Sequence, residues 1–205
     1  MIRKKEEHTI MDTNKDPLEW ELVSSENIVS DEWIQFRKSA YRFPDGSIFE
    51  PFYTYSRRDY VVIVASDEDG NFLCVRQFRQ GIGRVTTEFC AGGIERSDGK
   101  QYGKSQDMSS EDALEAAKRE LREETGYESD DWKFMLSLPS NATIADNNAF
   151  LFVARNCRKV AGQDLDETEF LNVLKYSADE IESMIRSGEF PQAMHILAWL
   201  MAQRI

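Results

Sequence analysis

The stretch 109–127, SSEDALEAAKRELREETGY, decides how the rest of the chain is read. Leu114, Ala117 and Leu121 recur at helical spacing and predict one amphipathic helix whose apolar side faces a core. Ser109 or Ser110 can cap its first turn, where the helix dipole favours Glu111 and Asp112. Gly126 stands where a left-handed C-terminal cap is wanted. Glu120, Glu123 and Glu124 follow at i, i+3 and i+4 and therefore leave neighbouring turns of one face. Three such carboxylates repel one another unless a cation lies between them. Arg119 and Arg122 can neutralise part of that charge, and a hard divalent cation such as magnesium, which takes oxygen ligands, does so better.

Residues 119–127, RELREETGY, resemble the core of the Nudix box, Arg-Glu-U-x-Glu-Glu-x-Gly-U with U apolar. Seven residues separate Glu111 from Arg119, as that pattern requires. Residues 88–95, EFCAGGIE, resemble the Glu-x-x-Ala-Gly opening of the ADP-ribose and nucleotide-sugar branch of the family. One departure is plain: eighteen residues separate Gly92 from Glu111, where the family pattern is much shorter. The extra segment, about 96–108 (RSDGKQYGKSQDM), is rich in Gly, Ser and Asp and predicts an inserted loop.

The resemblance implies an α/β (α+β) fold, a Nudix-like α/β/α sandwich with a mixed sheet. It implies metal-dependent hydrolysis of the diphosphate linkage of a nucleoside diphosphate sugar, ADP-ribose first. The products are a nucleoside monophosphate and a sugar phosphate, and the ion is Mg2+ with Mn2+ as a substitute. By the same resemblance Glu120 and Glu124 are direct metal ligands, Glu123 is a third or shared one, and the Ala91 carbonyl completes the set. Arg119 holds a glutamate in place, with Glu111 as a further partner. Glu169, just ahead of an apolar strand, matches the branch's catalytic base, and Asp166 and Glu167 in the same acidic loop compete for that role.

Substrate contacts follow the same branch. Trp33 resembles its base-stacking tryptophan, carried on an N-terminal unit that is commonly exchanged across a homodimer, so that Trp33 serves the partner's site. Arg79, in Gln77-Phe78-Arg79, matches an element near the diphosphate; Arg57 or Arg58 has a similar charge to offer, and Glu88 a metal or substrate contact. Phe49, Phe52, Tyr53 and Tyr55 read as sheet packing. Two other readings stand beside this one. A ligand-binding regulator without turnover is expected to lose a box glutamate, and this chain keeps them all. A Nudix enzyme for dinucleoside polyphosphates or coenzyme A has no need of the N-terminal unit.

Composition bounds the alternatives. The 205 residues suit one domain with an N-terminal extension. The expected division is a flexible tail over 1–17, a strand unit over 18–58 and the Nudix domain over 59–205. The net charge of −12 argues against non-specific binding of nucleic acid, but not against a small phosphate substrate held through cations. Cys74, Cys90 and Cys157 have no paired spacing, and the two histidines, His8 and His195, offer little to a His-based site. No apolar run approaches a membrane span or a signal-peptide core, so a cytoplasmic, membrane-free protein is expected.

Alternation and β-branched runs predict strands at 20–29, 33–42, 47–55, 60–65, 72–78, 85–90, 132–138, 150–154 and 170–176. Ser177 to Glu180 forms a capping box for a helix running to about residue 186, ended by Gly188, and a last helix spans about 192–203.

Overall fold

The computed structural model describes residues 16–97 and 111–205. The tail expected up to residue 17 lies almost wholly outside the described residues, as do most of the expected insertion and both serines proposed as caps.

The first three strands, β1 (Glu21–Ser30), β2 (Gln35–Arg42) and β3 (Ile48–Ser56), form an antiparallel sheet in the order β1-β2-β3. Its adhesive is aromatic. Trp20, Phe43, Phe49 and Phe52 sit in one cluster, with Trp20 and Phe43 centroids 4.5 Å apart and Phe49 and Phe52 5.4 Å apart. Tyr53 stacks on Phe36 at 5.6 Å, so these rings pack the sheet. Trp33 does not lie in a strand. Asp31 Oδ1 accepts the backbone N–H groups of Trp33 and Ile34 at 2.8 and 2.9 Å, which ties residues 31–34 into a turn and delays β2 to Gln35.

Among the described residues the second sheet has seven strands: β4 (Tyr60–Asp67), β5 (Phe72–Arg79), β6 (Arg84–Gly93), β7 (Tyr127–Glu128), β8 (Asp131–Pro139), β9 (Asn148–Lys159) and β10 (Leu171–Tyr176). The order is β10-β5-β6-β4-β9-β7, with β8 also paired to β9. Only β4 and β9 run parallel; the other pairs are antiparallel, so the sheet is mixed. The run Val61 to Ala65 is buried on both faces, as a β-branched strand between two layers must be.

Helix α1 (Ala113–Thr125) covers one face and α2 (Ala178–Ser187) and α3 (Ala193–Ala202) the other. Val61, Ile63, Leu73, Cys90, Leu121 and Phe152 fill the α1 side. Val62, Cys74, Phe89, Leu151, Phe190 and Trp199 fill the other. The cap of α1 is Asp112, whose side chain accepts the Leu114 N–H at 2.9 Å; the helix starts further along than a Ser109 or Ser110 cap implies. Gly126 ends α1 at φ 75°, and a Cβ there would meet the Ala161 carbonyl oxygen at 2.3 Å, so only glycine fits. The Ser177–Glu180 capping box and the Gly188 cap form as expected.

The two sheets join through β3. Tyr55 bridges to Ala145, and Arg37 and Ser56 both bond Asp146 Oδ2, at 2.9 and 2.5 Å.

Candidate functional site

The helical register of α1 and the end of β6 build the site together. Arg119 is its hub. Its Nη1 donates to Glu120 Oε1 at 2.9 Å and to Glu123 Oε2 at 2.8 Å. Its Nη2 donates to the Gly93 carbonyl at 3.0 Å and to Glu111 Oε2 at 3.1 Å, while Nε donates to Glu111 Oε1 at 3.2 Å. One guanidinium thus joins three carboxylates to the strand beside them.

Glu120 and Glu124 turn inward. Gly92 makes room for Glu120: a Cβ on Gly92 would fall 1.9 Å from the Glu120 carboxyl carbon. The Ala91 N–H donates to Glu124 Oε2 at 3.1 Å. Burial raises the Glu120 pKa to about 7 against the pull of Arg119, with Glu123 and Glu169 pushing the same way as burial. Burial likewise raises Glu124 to about 8; Cys90 and the Ala91 N–H oppose it, and Glu120 and Glu169 add to it. These two acids are costly to ionise without a cation.

Glu169 reaches the cluster from the turn before β10, close enough for its charge to act on both acids. Its Oε2 accepts the Asp166 N–H at 3.1 Å, and its side chain is half-buried, whereas Asp166 and Glu167 are exposed. Of the three candidates for the base, Glu169 is the half-buried one.

Side chains alternate along β6, so Glu88 points to the same face as Cys90, the α1 face. Glu88 is fully buried and ion-paired with Arg79, yet among the described residues neither carboxylate oxygen has a partner of hydrogen-bond geometry, and neither does Arg79 Nε. Arg57 is exposed. Arg58 is the arginine brought in: its guanidinium lies 2.9 Å from where a Gly93 Cβ would stand, burial lowers its pKa, and Glu120 pulls it back up. Trp33 is 57% exposed, and among the described residues it has no aromatic partner and no hydrogen bond to α1 or β6.

Among the described residues no three Asp, Glu, His or Cys side chains stand in a ready-made metal cluster. The reason is visible in the bonds: Arg119 draws Glu120 and Glu123 to itself while Glu124 caps the Ala91 N–H. The donors nonetheless fit a hard divalent ion, since all are oxygens and two are carboxylates whose pKa values burial raises. A groove of about 680 Å³ runs along the outer flank of α1, between Glu111, Arg119 and Glu123 on one wall and Trp132 and Asp164 on the other. Its lining does not include Glu120, Glu124 or Arg79.

Sequence reasoning passed over Gly92 as the seat of Glu120 and gave His195 no part. Gly92 was readable as a close backbone approach; a single histidine on an apolar helix carries no such signal.

A model of the NUDIX domain matches residues 56–199. The chain is 27% identical over 139 residues to the methanol dehydrogenase activator of Bacillus methanolicus, covering 67% of this chain and 68% of that one. It is 25% identical over 179 residues to an ADP-ribose pyrophosphatase of Bacillus subtilis (strain 168), covering 84% and 86%. A solved structure described as an ADP compounds hydrolase superposes with a TM-score of 0.76 at 19% identity, over 93% of this chain and 95% of that one, and so shares the fold.

Proposed function

The chain belongs to the Nudix domain family, and on that premise we propose that it hydrolyses the diphosphate linkage of a nucleoside diphosphate sugar, ADP-ribose first. One observation carries this reading: Glu120 and Glu124 are buried side by side at the Ala91–Gly92 end of β6, with the charge of Glu169, just before β10, acting on both.

In this reading Glu120 and Glu124, with Glu123 shared and the Ala91 carbonyl added, hold Mg2+ or its substitute Mn2+. When bound, such an ion would supply charge neutralisation at the phosphoryl oxygens and a lowered pKa of water. Glu169 takes the proton of the attacking water as the new P–O bond forms and the bridging P–O bond breaks. The products are a nucleoside monophosphate and a sugar phosphate. Arg119 keeps the glutamates aimed. Arg79 and Glu88, with Arg57 or Arg58, line the path of the diphosphate, and of the last two Arg58 has the supporting position.

We also keep the homodimer in the proposal. The N-terminal sheet leaves Trp20, Leu22, Ile48 and Phe49 about half exposed, which is the kind of surface a second copy covers. Trp33 then stacks the base in the partner's site. The −12 charge argues against nucleic acid as a partner, and the three unpaired, buried cysteines suit the reducing cytoplasm.

A ligand-binding regulator is the second reading, favoured by the activator among the relatives. The test is product release from a substrate panel with Mg2+. Hydrolysis lost in Glu120→Gln supports the enzyme, and binding of ADP-ribose with no turnover supports the regulator.

A further inference from the structure

In the main sheet β6 passes from β5 to β4. The pairing of β6 with β4 runs from Tyr60↔Gly93 to Ile63↔Cys90, and the rest of β6, Arg84 to Phe89, pairs with β5. The Thr87 and Phe89 N–H groups bond neither strand. The α2–α3 side of the molecule takes them: Thr87 N–H donates to the Glu189 carbonyl at 3.3 Å, and Phe89 N–H donates to His195 Nδ1 at 3.2 Å. Arg84 Nη2 adds a bond to the Gly188 carbonyl at 3.0 Å. This seam clamps the strand that carries Glu88 and runs on into Ala91 and Gly92.

His195 is 4% exposed, and it lies across the sheet from the acids, so it touches none of the reacting groups. Its side chain is the one polar group that α3 sends to the β6 backbone among the described residues. An apolar residue would fill the same space and leave the Phe89 N–H buried without an acceptor, which is costly.

We propose that His195 is a positioning residue for the site: its imidazole holds the Phe89 N–H and so sets β6 against α1, placing the Ala91–Gly92 end of the strand over Glu120 and Glu124. Burial, with the charge of Arg79 acting the same way, lowers its pKa to about 3, so the ring stays an acceptor across the working pH range. The proposal rests on the metal-dependent site described above.

The test uses the full chain and three variants. His195→Asn puts an amide oxygen where Nδ1 stood, His195→Gln moves that oxygen outward, and His195→Leu removes it. Mn2+ binding is measured by calorimetry and Phe89 amide exchange by NMR, beside turnover. His195→Leu is expected to weaken Mn2+ binding and to speed Phe89 exchange by about 5- to 10-fold, the loss of one buried hydrogen bond, while His195→Asn stays within about twofold of wild type. If His195→Leu does not fold, the Asn and Gln variants carry the comparison, with Gln as the weaker binder. Equal losses in the variants, or wild-type Mn2+ binding in His195→Leu, overturn the proposal. Wild-type protein that binds Mn2+ but cleaves no diphosphate sinks the hydrolase reading alone, and the variant comparison still decides His195.

Discussion

Arg119 grips Glu111 with two bonds, Nε to Oε1 at 3.2 Å and Nη2 to Oε2 at 3.1 Å, across the first two turns of α1. The same guanidinium reaches Glu120, Glu123 and Gly93. A lysine has one charged centre and cannot hold that fork. Arg119→Lys should therefore lower kcat by about tenfold or more, the size of one to two charge-assisted bonds. Glu111→Gln should cost less, because one oxygen still accepts. Steady-state kinetics with Mg2+ on both variants checks the order.

Gly92→Ala separates the site from the fold. The added Cβ collides with the far end of the Glu120 side chain, which can swing aside, and not with packed backbone. Melting temperature should therefore change little, while turnover and Mg2+ binding fall sharply. A large fall in melting temperature with retained activity would contradict the placement of Glu120.

The raised pKa values of Glu120 and Glu124 set a pH dependence. Groups whose folded pKa exceeds the unfolded value stabilise the fold fully below the unfolded pKa, and that contribution is lost as pH rises through the folded one. Metal-free protein should lose stability between about pH 5 and pH 8 from these two groups. Glu124→Gln removes one of them, so its melting temperature should gain on wild type over that span, measured with chelator present. Mg2+ should remove the difference in slope by favouring the ionised wild-type acids.

His195 acts in the opposite direction. Its folded pKa is lowered, so its contribution is present above the unfolded value near 6.5 and is lost as pH falls toward about 3. Wild type should lose up to about 1.4 kcal/mol per pH unit from this group across that window, and His195→Asn should flatten the acid limb. Chemical denaturation at a series of pH values measures it.

Trp33 stands exposed in the β1–β2 turn, and among the described residues its indole has no aromatic partner. If it serves a partner's site, Trp33→Ala should raise KM several-fold and leave kcat nearly unchanged. Light scattering should give twice the 23.7 kDa chain mass. A monomer with a wild-type KM in Trp33→Ala would remove both roles.

Much of this was legible in the sequence for physical reasons. The i, i+3, i+4 acids, the Gly126 cap and the Ser177 box are local signals, and the structure forms α1, its Gly126 end and the start of α2 where such signals place them. The buried run of β4 announced a central strand. What the chain did not announce was tertiary. The start of β2 depended on Asp31 closing a turn, and Asp112, not an earlier serine, took the α1 cap. Arg58 was indistinguishable from Arg57 until the strand placed one of them against Gly93. The need for His195 arises where β6 passes from β5 to β4, a change of partner that no local pattern encodes.

The most direct test of the central claim is product release from purified protein with Mg2+. ADP-ribose is run beside UDP-glucose, GDP-mannose, diadenosine polyphosphates and coenzyme A, with Glu120→Gln as control. The account predicts that ADP-ribose is cleaved preferentially to AMP and a sugar phosphate, and that the variant loses this activity while keeping its fold. Binding of ADP-ribose without cleavage of any substrate, or undiminished cleavage by Glu120→Gln, would contradict it.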